Sequence, residues 1–534
     1  MLERLTTRIA VLALALLLIV PLSSRTQVRA QQATPGEWPQ LAGGPQRTGY
    51  VSAALSDTWQ IRWIWNGPAG GGDAGAAPDH LALPKGAQPV VGGGRLYIGH
   101  TDGIVRALSE ATGAVLWASP VGGQVLDSAA YVPVRQSLFV GTTAGELVRL
   151  SAADGQVTGR FAAGSSIVSA PLLVGDTVFI GSTGGTLFAV AAGTMQQRWA
   201  YQAGAELRAS PAYSAAYDGL VIFPAEDKSV HAVQAASGQR RWRTTVNADR
   251  DPLRGNKSFS DSYPVVSEAN GVVIIRSYLA WQKLWQPDGG ASTNIADTRS
   301  FLTSNPTYQS FHVLELGDGR PRFVAPVLAG GIGNNDDLYS TPPQAVVRPL
   351  ADGSEVAYVF WRNRQTCLIS SCDGREDTTL GEMDLRTGNI RFLQDYKSQG
   401  TMRYPTDEQG ALSMAGDVIF HSHWMLMGAL RVTDRSAGYG GSYANGIRTT
   451  ELKPVSNTLA AGTCSQRVAG SHFCPVGSTP PGEGYQIDPG FYIYYSSQRV
   501  YDQFFTAPVR GVVVSGGSIY WKSVDGALIA LSAR

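Results

Sequence analysis

Short runs of β-branched and aromatic residues alternate along this chain with Gly-containing turns, and the same order of positions returns about every 40 residues. The clearest mark is an aliphatic or Met position, a Gly five residues later and an aromatic nine residues later. It is seen at Leu108/Gly113/Trp117, Val233/Gly238/Trp242, Leu314/Gly319/Phe323 and Met383/Gly388/Phe392. Two further copies depart from it. Val190 and Trp199 keep the spacing with Met195 in the Gly slot, and Leu150 keeps Gly155 but has Gly159 where the aromatic should stand, with Phe161 two positions on. Ahead of each anchor lies an apolar run, such as Leu96, Tyr97 and Ile98 or Val178, Phe179 and Ile180. A turn follows, then a second run (Ile104 to Leu108), a second turn at Thr112 and Gly113, and a third run ending in the aromatic. A further run, residues 170–174 in the third copy, precedes them. Alternation bounded by Gly reads as strand. Four short antiparallel strands in a repeat of this size predict a β-propeller blade.

The repeat continues with insertions. A fifth copy spans about residues 263–327 with an insert near 280–308, and a sixth spans about 340–393 with one near 362–380. A seventh starts near Tyr404, places a strand at Asp417, Val418, Ile419 and Phe420, and is followed by a Gly/Ser/Pro-rich excursion over 435–503. The eighth, residues 518–531, ends after its third strand; residues 59–65 (Trp-Gln-Ile-Arg-Trp-Ile-Trp) are expected to supply the missing outer one. The expected fold is all-β: one eight-bladed propeller over residues 31–534, closed by pairing of N- and C-terminal strands so that no sheet edge is left at the seam. No segment after the leader shows sustained helical periodicity.

Composition agrees with a turn-rich all-β chain: 62 Gly among 534 residues, 43% hydrophobic and 16% charged. The first 30 residues are a separate object. Arg4 and Arg8 precede an apolar stretch over 9–22, and Val28-Arg29-Ala30 resembles a signal-peptidase site. That stretch is short for a bilayer span, which wants about 20 residues, so a cleaved export signal is expected and no transmembrane segment after it. The first Cys is Cys367, which closes the lipoprotein route. With 43 Lys and Arg against 42 Asp and Glu, nothing favours nucleic acid as a partner. Cys367/Cys372 and Cys464/Cys474 form two local pairs inside the inserts; in an exported chain they are expected as disulfides rather than as a zinc site.

These blades resemble the PQQ-like β-propeller repeat, best at residues 93–103 (Gly-Gly-Arg-Leu-Tyr-Ile-Gly-His-Thr-Asp-Gly) through Thr112 and Gly113 to Trp117. The opening segment Trp38-Pro39-Gln40 with Arg47-Thr48-Gly49 is also similar to the start of such proteins. The resemblance implies that Trp117, Trp199, Trp242, Phe323 and Phe392 dock each blade on its neighbour. It implies no single function, since the family includes quinoprotein alcohol and sugar dehydrogenases as well as non-catalytic barrel-assembly scaffolds. Members of the first group often stack their quinone on a disulfide of adjacent Cys and hold calcium on acidic side chains. This chain has no Cys-Cys dipeptide, no Cys-x-x-Cys-His and no matching set of calcium ligands. The expected role is therefore a non-catalytic binding or scaffold protein, monomeric, periplasmic or extracellular, without cofactor and with a protein or polysaccharide partner. The alternative is a dehydrogenase carrying PQQ and calcium.

A ligand would sit where loops lead into the innermost strands. Three positions ahead of the Pro that opens several of these strands, or of its equivalent, stand Gly86, Asp127, Val168, Arg208, Asp261, Tyr339, Asp407 and Phe505. Asp127, Arg208, Asp261, Tyr339 and Asp407 would suit a polar ligand at the channel mouth; the simpler reading makes them turn residues, with Asp capping backbone amides. Other features are read as structural: His421 and His423 as strand histidines rather than half a metal site, the Asn334 to Asp337 cluster as a loop rather than a calcium site, and Trp281, Trp285 and Tyr308 as cover for a blade rather than a sugar platform. No metal is expected.

Overall fold

The computed structural model describes residues 37–55, 59–65, 87–246, 259, 262–277, 279–280, 295–327, 339–340, 344–362, 378–393, 411–423, 426–432, 441–443, 473–475, 485–487, 512–522 and 528–533. Eight antiparallel sheets follow one another as blades. Blade 1 is Val90–Gly92, Arg95–Gly99, Ile104–Ser109 and Val115–Pro120, running from the axis outward. Blades 2, 3 and 4 repeat it, their inner strands being Ala130–Val132, Leu172–Val174 and Ala212–Ser214. The inner strands of blades 5 to 8 are Val265–Ser267, Val346–Pro349, Ser413–Ala415 and Val513–Ser515.

Burial explains the pattern of apolar runs. The two inner strands of a blade are sandwiched between neighbours, and in blades 3 and 5 they are buried on both faces, so they read as nearly continuous apolar runs. The outer strand alternates, as in Gln197–Gln202 and Val157–Ala162, because one of its faces meets water.

Closure of the ring follows the expectation. Trp59–Trp65 pairs antiparallel with Leu528–Ala533 as the outer strand of blade 8, with Trp63 opposite Ala530. The strand even carries the blade's own bulge. Register slips between Ile61 and Trp63 just as it slips before Trp117, Trp199 and Trp242. The extra residue turns the following aromatic toward the next blade.

Two sequence expectations need correction. A ten-residue helix, Ile295–Ser304, lies in the blade 5 insert, where no helical periodicity was legible. Only Thr298 and Leu302 of it are buried, so it has too narrow an apolar stripe to announce itself, and it is anchored by Arg299 donating to the Gly388 carbonyl at 2.6 Å. The inner strand of blade 6 begins at Val346, a few residues later than the sequence suggested; Tyr339 belongs to a small side ladder opposite Ala280. The leader, Asp261, Asp407, Cys367, Cys372, Cys464, Trp281, Trp285 and the Asn334 to Asp337 cluster lie outside the described residues; Cys474 falls in the strand Phe473–Pro475, whose side chains are likewise undescribed. No helix among the described residues is long and apolar enough to cross a membrane.

Candidate functional site: the axis and the loop-bearing face

The inner strands would leave a row of unpaired amides facing the axis, and buried amides need acceptors. Residues 38–49 supply them. One inner-strand amide from each of blades 1, 2 and 4 to 7 donates in turn: Val91 to the Trp38 carbonyl (2.9 Å), Tyr131 to Pro39 (2.7 Å), Tyr213 to Pro45 (2.8 Å), Val266 to Gln46 (2.9 Å), Val347 to Thr48 (3.0 Å) and Met414 to Gly49 (2.8 Å). In blade 3 the Leu173 amide donates to the Gln40 side-chain Oε1 at 3.1 Å, and Gln40 Nε2 returns a bond to the Leu173 carbonyl. Arg47, completely buried, donates to the carbonyls of Leu41, Pro171 and Pro211 at 2.8 to 3.1 Å. Trp38, also without exposure, donates its indole N–H to Gln88, whose Oε1 accepts the Ala42 amide as well. The axis is thus occupied by the chain itself.

Trp117, Trp199, Trp242 and Phe323 each face a Gly of the following blade, and the geometry is plain. A Cβ added at Gly155 would stand 2.5 Å from the Trp117 ring; Gly238 meets Trp199, Gly319 meets Trp242 and Gly388 meets Phe323 at 2.6 to 2.7 Å. Each Gly has a positive φ near 75° and lies in the next blade, so the aromatic of one blade lies flat on the backbone turn of its neighbour. The indoles of Trp117, Trp199 and Trp242 then donate to Ala152, Ala235 and Leu316 carbonyls. Trp63 does the same across the seam, on Gly113 and the Glu110 carbonyl. It was not legible as a docking residue because its strand lies at the opposite end of the chain from the rest of its blade. Phe392 packs on Trp361 of its own blade, ring centroids 4.9 Å apart, and the blade 7 turn it would meet lies outside the described residues.

The connections divide the disc into two unlike faces. In an antiparallel four-stranded blade, the turn between strands two and three and the crossover to the next blade leave from the same end. The described strands that bracket residues 66–86, 247–264, 277–310, 328–345, 363–377, 394–412 and 444–512 meet those stretches at that end. The opposite face is built mainly of tight turns.

The predicted mouth residues separate on this face. The structural register puts Leu126 in the slot of Val168 and Arg208, with Asp127 one position later, because blade 2 lacks the Pro that marks the others; Val125, Ile167 and Leu207 are the matching residues that pack on Gly99, Gly141 and Gly181. Asp127 is buried. One carboxylate oxygen accepts the Ser128 amide at 2.7 Å, and the other accepts the Ala170 amide and the Ser210 hydroxyl at 3.1 and 2.9 Å. It ties blades 2, 3 and 4 together as a cap. Arg208, partly exposed, is paired with Glu206 at 2.7 Å. These two are not brought into contact by any described bond, and Tyr339 stands in a different ladder.

A polar group that the sequence did not single out lies at the junction of blades 4 and 5. Glu226, Lys228, Arg276 and His312 are all buried there, and Glu226 accepts the Phe259 amide at 3.0 Å. Burial, followed by the nearby Lys228 charge, pushes His312 down to about 4. From blade 3 into blade 4 runs a chain of hydrogen bonds: Tyr201 hydroxyl, on the outer strand of blade 3, to His231 Nδ1 (3.0 Å), His231 Nε2 to Ser229 Oγ (2.7 Å), Ser229 to Asp227. His231 is stacked on Phe223; burial first, then Arg243, lowers it to about 4, so it is neutral near pH 7. Burial opposes ionisation of Asp227, but Ser229 and Arg243 hold its carboxyl below the usual range. The signal in sequence was the polar His231, where blade 3 has Phe188. Tyr308 packs edge-on against Phe301 of the inserted helix. His421 and His423 fall in the strand Val418–His423 as expected, their side chains undescribed. Among the described residues, no group of three or more His, Cys, Asp or Glu is placed to hold a metal.

Residues 101–323 match the family model described as outer membrane protein assembly factor BamB. No curated protein is significantly similar to the chain. Among solved structures, the chain is similar to the quinohemoprotein alcohol dehydrogenase from Comamonas testosteroni, at 12% identity over 94% of this chain and 81% of that one, with a TM-score of 0.54. It is also similar to BamB from Moraxella catarrhalis (13% identity, 89% and 98% covered, TM-score 0.46) and to a europium-containing methanol dehydrogenase (12%, 75% and 84%, 0.49). At such identities the likeness is one of fold.

Proposed function

We propose that this PQQ-like propeller is an exported, non-catalytic binding or scaffold protein that engages a protein or polysaccharide through its loop-bearing face. The observation that carries the reading is the filled axis: residues 38–49 take the inner-edge amides of seven blades, where a channel ligand would otherwise find its donors. The match of residues 101–323 to an assembly-factor family points the same way. Gathering the long connections on one end of a rigid disc suits a broad, shaped contact, since repeat proteins commonly place their insertions on the binding face. Export rests on the basic start, apolar stretch and small-residue site within residues 1–30, and the two local Cys pairs would be oxidised outside the cytoplasm.

Among the described residues, Asp127 and Arg208 are a poor fit to a quinone with calcium. The Asp127 carboxylate is committed to two amides and a hydroxyl, and Arg208 to Glu206. The test is calorimetric titration of residues 31–534 with PQQ in the presence of calcium. No heat of binding is expected. Saturable one-to-one binding, with dye reduction by alcohols or sugars that Asp261→Ala or Arg208→Ala abolishes, would overturn the scaffold reading in favour of a dehydrogenase.

A further inference from the structure

We propose that residues 38–65 act as a single clasp that couples the axis of the disc to its seam. Their carbonyls and the Gln40 side chain meet blades 1 to 7 in chain order, from Trp38 on Val91 to Gly49 on Met414. The segment therefore makes one circuit of the axis. Tyr50–Val51 then runs parallel to the inner strand of blade 7, Tyr50 opposite Met414 and Val51 opposite Ala415. Seven residues separate Val51 from Trp59, where the same segment becomes the outer strand of blade 8. One short stretch thus touches every blade: seven from the inside, the eighth as its closing strand.

Three features hold the circuit in shape. The Arg47 guanidinium bonds back to Leu41 of the segment and out to Pro171 and Pro211, so it folds the segment on itself while joining it to blades 3 and 4. Gly49 has φ +66 and a Cβ there would stand 3.1 Å from the Leu412 carbonyl, so the turn toward blade 7 needs Gly. Trp38 anchors the start through Gln88 and a two-way backbone bond with Val91. Because the amides concerned are buried, loss of the segment would leave donors in every one of those blades without acceptors. The blades should respond together, not one at a time.

The prediction goes beyond the proposed function and is independent of it. A protease site placed within residues 66–86 of the full chain lets the folded protein be nicked between clasp and blade 1. The two pieces are expected to co-elute at the intact size and to part only on unfolding. Hydrogen exchange of the wild-type protein should show Val91, Tyr131, Leu173, Tyr213, Val266, Val347 and Met414 exchanging as one slow set. Arg47→Ala should speed the whole set at least tenfold, including Val91 and Met414 far from the substitution, together with Ala530 across the seam. Dissociation of the nicked clasp under native conditions would overturn the proposal. Acceleration confined to blades 3 and 4 in Arg47→Ala would do so too, since it would mean separate contacts. If Arg47→Ala fails to fold, the co-elution of nicked wild-type pieces and the shared exchange rate decide the matter.

Discussion

At the scale of single residues, blade contact is a trade between one Gly and one aromatic. Gly238 both occupies φ +73 and leaves room for the Trp199 ring. Gly238→Ala should lose about 1–3 kcal/mol, from left-handed backbone strain and from displacing the indole; a thermal melt followed by circular dichroism reads the loss. The two sequence departures turn out to be one event. Gly159 stands where blade 2 lacks its aromatic, and its neighbour across the junction is Met195, whose Cγ would be 2.7 Å from a Cβ at Gly159. Met195 accepts φ +59 in the Gly slot, and Arg149 donates to the Ala192 carbonyl at 3.0 Å in place of an indole. Gly159→Trp alone should destabilise through overpacking, whereas Gly159→Trp with Met195→Gly should recover much of the loss, a coupling of at least about 1 kcal/mol in a double-mutant cycle. His231 and His312 set the acid limb. Their folded pKa near 4 lies below the unfolded value near 6.5, so the unfolded chain binds protons first. Stability is full above about pH 6.5 and falls as pH drops toward 4, by up to roughly 3 kcal/mol for each group. His231→Gln and His312→Gln should each flatten the melting temperature between pH 7 and 4.5. Asp227, whose pKa is lowered, adds its own loss only at still lower pH.

At the scale of elements, strands were legible because their inner pairs are apolar throughout and their turns need Gly. The bulge before each docking aromatic was not legible, since a register slip leaves no mark in composition. Nor was the helix Ile295–Ser304, which depends on contacts such as Arg299 to Gly388 rather than on its own periodicity. Blade 2 lacked the Pro that marks its neighbours, so Asp127 was placed one position early in the repeat. The closing strand was legible from its alternating aromatics, and the structure adds the role of Trp63 on Gly113 and Tyr520. Trp63→Ala should cost about 3–5 kcal/mol by emptying the junction of blades 8 and 1. Denaturant unfolding measures this, and a substitution at the exposed Leu116 should change the midpoint little.

For the whole molecule, the division of faces makes the functional prediction directional. Charge reversal at Arg208, on the loop-bearing end, should weaken binding of a partner at least tenfold. Val134→Glu, in the exposed turn Pro133–Arg135 of the opposite face, should leave binding unchanged. Equilibrium binding of both variants to the same immobilised partner compares them, and equal losses would count against a single binding face. Export as proposed would further predict that non-reducing mass spectrometry of the secreted protein finds its four Cys without free thiol.

The repeat, the number of blades, the docking Gly and aromatic positions and the closing strand were all contained in the sequence, because each is a local pattern of apolar and Gly positions that recurs. The filled axis was not. It depends on bringing residues 38–51 against strands up to hundreds of positions away, and its bonds run largely through backbone groups that every residue carries alike. The paired departures at Gly159 and Met195 were visible as two anomalies, but only packing across the blade junction makes them one. The same holds for Asp127 and for the buried histidines: residue type was on view, while burial and partner, which decide what a carboxylate or an imidazole does, came only with the tertiary structure.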